Sequence, residues 1–165
     1  KYVWVKRMKL ILENWRQYLN EGSNWDTKFN AFISMLLKDY PNSKITEEEN
    51  WDDDEDIGGI VHNGKYWNQE VIASQGLKSA CHGNSACAYD KTGGRLKMCT
   101  GVALSSDGNW YLHSWVYNPE KDVIYETTET KWGAYYGYQI PDYDMNMILS
   151  RGDKGRWAGE PVSSK

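Results

Sequence analysis

The sequence predicts a single α+β domain in which helices come first and an antiparallel sheet follows. Apolar residues recur at helical spacing as far as Lys38. From Arg95 to Ser105 the side chains alternate with a period of two, and short turns join this segment to two further predicted strands. A short helix near Cys81 precedes them. At 165 residues, the chain is long enough to bury a core without disulfide bonds.

Residues 1–45 are predicted to form a helical annex. One helix is expected from Tyr2 to Leu19. A second is expected from Asp26, as its cap, to Lys38, and Pro41 prevents its continuation. The apolar face of this second helix comprises Phe29, Phe32, Ile33, Leu36 and Leu37.

Residues 46–59 are predicted to form an acidic loop, because acidic residues dominate the run from Glu47 to Asp56. The sequence favours a solvated loop, since these acids do not follow the spacing of a calcium-binding loop. Calcium binding and mimicry of nucleic-acid phosphates are the alternatives. Gly58-Gly59 and Asn63-Gly64 are expected to be turns around a short strand, Ile60 to His62.

Residues 60–149 are predicted to form the core. A strand from Arg95 to Ser105 leads into a two-residue turn at Asp107-Gly108, and Trp110 to Tyr117 is the return strand. A turn at Asn118-Pro119-Glu120-Lys121 then leads to a third strand, Val123 to Thr128. The tail, residues 150–165, is rich in glycine, serine and charge and is predicted to be flexible.

These turns predict a strand register. A two-residue turn at Asp107-Gly108 places His113 opposite Val102 and points Cys99 to the other side of the sheet, which indicates a core role for Cys99. A four-residue second turn places His113 directly opposite Glu126. Cross-strand neighbours have Cβ atoms about 5 Å apart, which is close enough for a carboxylate to orient an imidazole.

Cys81 is the candidate nucleophile. The helix around it is expected to run from Ala80 to Ala88 with Ser79 as its cap. Cys81 then lies in the first turn, where unpaired N–H groups and the helix dipole stabilise a thiolate. Gly83 is expected to leave room for a substrate backbone. The alternative is a buried structural cysteine, since free cysteines are often buried.

Four further residues near these elements are considered. Asn84 falls one helical turn after Cys81 and is expected either to contact substrate or to tie down the strands. Trp115 either shields the His113–Glu126 pair from water or packs in the core. His82 is expected to point away from Cys81, because successive helical residues diverge by about 100°. His62 is expected at the surface.

A helical cysteine (Cys81), a strand histidine followed by an aromatic (His113-Ser114-Trp115-Val116) and an acid on the next strand (Glu126) resemble the papain-like cysteine-enzyme superfamily. The transglutaminase-like and arylamine N-acetyltransferase-like branches look nearest, and the resemblance covers Gln75 to Gly137. It implies a helix packed on an antiparallel sheet, with Cys81 as nucleophile, His113 as base and Glu126 as orienting acid. It also implies Gln75 as an oxyanion donor. Most of these families carry Asp or Asn where this chain has Glu126.

Composition limits the partners and cofactors. The net charge of −4 gives no general attraction to nucleic acid or to an anionic membrane. Three cysteines without a Cys-x-x-Cys motif cannot form a fully paired disulfide framework, so a cytoplasmic location is expected. No cofactor and no metal are expected, because no familiar zinc pattern matches the spacing of Cys81, His82, Cys87, Cys99 and His113.

The leading hypothesis is an enzyme whose Cys81 thiolate attacks an amide or related acyl bond. The substrate is a peptide, a protein or a small acyl or amide compound. A peptidase, a deamidase and an acyl transferase all fit this chemistry. The alternative is a non-enzymatic interaction or inhibitor protein on the same fold, which binds its partner through the acidic loop and surface aromatics.

Overall fold

The computed structural model describes residues 22–45, 57–128, 132–152 and 155–160. The predicted helix from Tyr2 to Leu19 and the acidic run from Glu47 to Asp56 lie outside these ranges. No helix within them has the length and apolar character needed to cross a membrane. The chain divides into two compact units, Lys1–Pro41 and Asn42–Lys165.

The first unit contributes helix α1, Gly22–Asp39. It contains the predicted segment from Asp26 to Lys38 and starts four residues earlier. Trp25 and Phe29 stack along it with ring centroids 6.0 Å apart, as residues four apart on one helical face can do. The helix ends two residues before Pro41, whose ring cannot continue it.

The second unit has an α+β architecture, as predicted. Its elements within the described residues, in chain order, are β1 Lys44–Ile45, α2 Ile57–Asn63, β2 Lys65–Trp67, β3 Glu70–Ala73, α3 Cys81–Lys91, β4 Lys97–Ser105, β5 Asn109–Asn118, β6 Val123–Glu126, β7 Trp132–Gln139 and α4 Asp142–Ser150.

The strands form one mixed sheet with the order β2-β7-β4-β5-β6-β3, and β1 pairs with β5. The β1–β5 and β3–β6 pairs are parallel, and the other pairs are antiparallel. Helix α3 packs on β4 and β5. The two central strands therefore support the helix that begins at Cys81.

Both faces of the sheet are buried. On one face, Ala86 and Ala88 of α3 pack into clusters with Met98, Val116 and Tyr125. On the other face, a second cluster comprises Trp67, Cys99, Ala103, Trp115, Ile124 and Tyr135. This double burial explains why β4 is apolar at successive positions and not only at alternate ones.

The β4–β5 hairpin differs from its predicted register by one residue. Its loop contains three residues, 106–108, and Gly108 adopts φ 84°, a left-handed conformation that suits glycine at the end of such a loop. His113 therefore lies opposite Gly101, not Val102. Cys99 lies opposite Trp115, on the same face as His113, so its predicted orientation was wrong. Its predicted core role is confirmed, since Cys99 is fully buried.

The predicted strand from Ile60 to His62 was also wrong. These residues belong to helix α2, and Gly58-Gly59 lies inside that helix rather than in a turn. Ile57 and Ile60 are buried three positions apart, which is helical spacing. The last three residues of the predicted acidic loop, 57–59, are therefore helical.

The tail is packed from Gly155 to Glu160, so the predicted flexibility was wrong there. Trp157 is buried, donates from Nε1 to the Ser74 hydroxyl at 3.1 Å and forms a β-bridge with Gly76. Glu160 accepts hydrogen bonds from Arg95, Asn118, Lys121 and Tyr125. One buried indole and one well-paired carboxylate anchor a segment that its composition alone marks as loose.

Candidate active site

Cys81 is the first residue of helix α3, as the sequence predicts. Ala80, not Ser79, is the N-cap, and no described side chain caps the helix. Ser79 cannot take that role because it has φ 55°, in the left-handed region. The first-turn N–H groups are thus left without a capping side chain and favour a negative charge at this end of the helix.

The Cys81 thiol is held in a site that favours its ionised form. Burial raises its pKa, but a hydrogen bond with His113 and the positive charge of that ring lower it. Backbone N–H groups of Ser114 and His82 lower it further, and the net pKa lies below the ordinary value of 9.0. Cys81 is nevertheless only partly buried. The residue is therefore not sealed inside the core.

The Ser114 N–H is available because β5 and β6 stop pairing nearby. Their last paired residues in this direction are Val116 and Tyr125. Ser114 lies two residues past that pair, where its backbone hydrogen-bonds Cys81. The N-terminus of α3 thus lies at the point where the two strands separate.

His113 and Glu126 form a buried pair. Nε2 of His113 lies 2.9 Å from Oε2 of Glu126, and the two residues are 4% and 3% exposed. They are not directly opposite each other, so the predicted pairing was wrong. The Val116–Tyr125 register places Glu126 opposite Trp115. A shift of two residues keeps the side chain on the same face, so the diagonal contact with His113 forms.

Glu126 accepts four hydrogen bonds. Oε2 accepts from His113 and from the Tyr135 hydroxyl at 3.0 Å, and Oε1 accepts from the Thr128 N–H at 2.9 Å and hydroxyl at 2.8 Å. Burial raises the pKa of Glu126, but His113 and Thr128 together hold it below its ordinary value. The carboxylate is therefore ionised and fixed in direction.

His113 is held as an imidazolium. Burial lowers its pKa, but the hydrogen bonds and negative charges of Cys81 and Glu126 outweigh burial and raise it to about 9. Because Nε2 faces Glu126, Nδ1 is the nitrogen left for the thiol proton. The arrangement is that of a nucleophile, a base and an orienting acid.

Aromatic rings enclose the His113 imidazole. Trp132 lies closest, with ring centroids 4.4 Å apart, and Tyr135 and Trp115 lie at 6.2 and 6.4 Å. Trp115 is fully buried, so it packs in the core and is not placed to touch a substrate. The half-buried Trp132, which the sequence did not single out, also faces a cavity, as Tyr135 does.

Asn84 is a structural clamp and not a substrate contact. It is fully buried; its amide nitrogen donates to the carbonyls of Leu77 (2.8 Å) and Thr127 (3.3 Å). Its Oδ1 accepts from the N–H groups of Leu77 at 3.0 Å and Arg156 at 2.9 Å. Of its two predicted roles, tying down neighbouring segments is the one observed.

Gly83 was predicted to leave room for a substrate backbone, and this prediction was wrong. It is buried, and Gly155 of the C-terminal segment lies so close that a Cβ there would overlap the Gly83 carbonyl. His82 lies against β5, with Nδ1 3.2 Å from the Ser114 hydroxyl. His62 is exposed, as expected, and its Nδ1 lies 2.9 Å from the Gly58 carbonyl.

A cavity of about 690 Å³ adjoins the site. Of Cys81, His113 and Glu126, only Glu126 belongs to its lining. Trp132 and Tyr135 form part of its wall. Gln75, the predicted oxyanion donor, also lines it; its backbone carbonyl accepts the Ala158 N–H at 3.0 Å. Gln75 thus lies in the segment that leads from β3 to Cys81, on the cavity side of the site.

Comparisons of the chain with protein-family models, curated proteins and solved structures find no match. The chemistry of the site therefore follows from its own geometry. Within the described ranges, no three His, Cys, Asp or Glu side chains are grouped so as to hold a metal ion. The described residues instead place His113 between Cys81 and Glu126, so the imidazole interacts with both.

Proposed function

We propose that this protein is a cysteine-nucleophile enzyme that acts on an amide or related acyl bond through Cys81, His113 and Glu126. The observation that carries the proposal is the buried 2.9 Å pair between His113 and Glu126, whose imidazole also lowers the pKa of the Cys81 thiol. A structural cysteine has no need of a buried histidine that a carboxylate orients. A nucleophile needs both.

In the proposed reaction, the Cys81 thiolate attacks the carbonyl carbon, and the carbonyl electron pair moves to the oxygen. The Cys81 N–H, at the helix N-terminus, stabilises this oxyanion, and Gln75 is a second donor. As the C–N or C–O bond breaks, His113 donates its proton to the leaving group. The product of this step is a thioester on Cys81.

Water or an amine then attacks the thioester, and His113 takes up the proton that the attacking group releases. Cys81 leaves as the thiolate, which restores the starting pair with His113. Water gives hydrolysis, as in a peptidase or deamidase, and an amine gives acyl transfer. Glu126 stabilises the imidazolium whenever His113 carries the proton.

We also propose a fold family for the second unit. We place the second unit with the papain-like superfamily, nearest the transglutaminase-like and arylamine N-acetyltransferase-like branches. Two features support this: α3 begins with Cys81 and packs on the sheet, and His113 and Glu126 lie on the sequential strands β5 and β6.

An activated ester tests the proposal directly. We expect p-nitrophenyl acetate to transfer one acetyl group to the protein, located at Cys81 by peptide mass spectrometry. Cys81→Ala should abolish the adduct, and Glu126→Gln should slow its formation about 10²- to 10⁴-fold. Cys87→Ala is the matched control and should react normally. Acetylation at other residues, at a rate that Glu126→Gln leaves unchanged, would refute the proposal.

A further inference from the structure

The cavity beside Glu126 also carries two cationic side chains, Lys78 and Arg156. Both residues are exposed, and neither side chain forms an ion pair within residues 22–45, 57–128, 132–152 and 155–160. In a chain of net charge −4, two unpaired cations in one cavity mark a local site for an anion.

We propose that the acyl substrate carries a carboxylate side chain, as an acidic peptide residue does, and that Lys78 and Arg156 bind it in this cavity. The inference rests on the proposed function, because it names the substrate class of the same site. An arginine guanidinium matches a carboxylate in shape and can bind it through two parallel hydrogen bonds, and a lysine adds a point charge.

The fold fixes the backbone at or beside each cationic residue to the first turn of helix α3. Asn84 lies three residues after Cys81. Its side chain binds the backbone of Leu77, the residue before Lys78, and also the backbone N–H of Arg156. One buried amide thus fixes both cation-bearing segments to helix α3. Lys78 is also only three residues before Cys81 in the chain.

The remaining lining of the cavity suits an acidic residue rather than a bare anion. Val71, Ala73, Trp132 and Tyr135 provide apolar surface for a methylene stem. Glu126 is the acidic residue of the lining, and its charge is already offset by the His113 imidazolium. Its carboxylate therefore leaves the attraction of Lys78 and Arg156 for a second carboxylate largely intact.

A matched pair of thiol-reactive peptides tests the inference. Iodoacetyl-glutamic acid α-amide and iodoacetyl-glutamine amide have the same reactive group and nearly the same shape, and they differ by one negative charge. We expect the glutamate probe to alkylate Cys81 at least about fivefold faster at low salt, and the preference to fall as salt is added. Lys78→Gln and Arg156→Gln should each reduce the preference. Lys44→Gln, an equal charge change on β1 away from the cavity lining, should not.

The outcomes separate the two claims. Equal rates for both probes at Cys81, each still much faster than a free thiol and dependent on His113, would overturn the carboxylate site and leave the proposed function standing. A preference that survives in the Lys78→Gln, Arg156→Gln double variant would also overturn it. Rates with both probes no faster than a free thiol would overturn the proposed function and this inference together.

Discussion

Nε2 of His113 lies 2.9 Å from Oε2 of Glu126, although the two residues are not opposite each other in the sheet. The contact is diagonal, and it places a negative charge against an imidazole that is 4% exposed. In that environment an imidazolium without a counter-ion would be strongly disfavoured. Glu126, together with the Cys81 thiolate, thus favours the protonated form of His113.

Replacing Glu126 by Gln should therefore slow Cys81. The substitution keeps the shape and removes the charge, so the pKa of His113 should fall and the thiolate–imidazolium pair should weaken. We expect acylation to slow about 10²- to 10⁴-fold, measured with p-nitrophenyl acetate. Glu70→Gln, on exposed β3, is the matched control. If the two variants react equally fast, Glu126 does not support His113.

Tyr135→Phe should have a smaller effect of the same kind. It removes one of the four hydrogen bonds to Glu126, from the hydroxyl that shares Oε2 with His113. We expect the free energy of unfolding to fall by about 1–3 kcal/mol and Cys81 alkylation to slow severalfold. Tyr136→Phe loses a hydroxyl that donates to the Gly64 carbonyl. Urea unfolding should detect a loss in both, whereas slower alkylation in the Tyr136 variant would contradict this role for Tyr135.

Cys81 and Cys99 should react at very different times with iodoacetamide. Cys81 should be alkylated first in the native protein, because its pKa is lowered and it is partly exposed. Cys99 should react only on unfolding, because it is fully buried and burial raises its thiol pKa well above 9.0. Peptide mapping of a time course measures this order. Early labelling of Cys99 in the native protein would contradict its burial in the core.

Asn84→Ala should destabilise the second unit. The change leaves the Leu77 N–H and carbonyl, the Thr127 carbonyl and the Arg156 N–H without their present partner. At about 1–3 kcal/mol for each buried group that stays unsatisfied, we expect a loss of about 3 kcal/mol or more. Asn84→Asp keeps the acceptor but places a buried carboxylate oxygen against the Leu77 and Thr127 carbonyls, so urea unfolding should show a loss for it as well. A neutral Asn84→Ala would mean that water replaces the clamp.

The sequence predicted the local order of this site well. Cys81 in a first helical turn, followed by His113 and Glu126 on neighbouring strands, depends on local patterns and short turns, which one sequence carries. The register error at the β4–β5 hairpin came from counting two loop residues where Gly108 ends a loop of three. The contact survived the error at the second turn because that shift was even.

Long-range partners could not be predicted in the same way. Tyr135 reaches Glu126 from β7, which is attached to the sheet through β4. Trp157 and Arg156, near residue 160, return to Gly76, which precedes Cys81, and to Asn84, which follows it. No local pattern shows which distant segment fills a space. Thr128 is the exception, since it lies only two residues after Glu126 in the chain.

The ionisation of Cys81 is the most direct test of the proposed mechanism. It is followed by the ultraviolet absorbance of the thiolate, taken as the difference between the protein and its Cys81→Ala variant. Since His113 and the N–H groups of Ser114 and His82 lower the thiol pKa, the thiolate should persist as the pH falls below 9.0. Since the pKa of His113 is about 9, the thiolate–imidazolium pair should persist from the lowered Cys81 pKa up to about pH 9. In His113→Asn, the loss of the imidazolium should move the thiol pKa upward. A Cys81 that titrates at or above the ordinary thiol range in the native protein, unchanged by His113→Asn, would contradict the account.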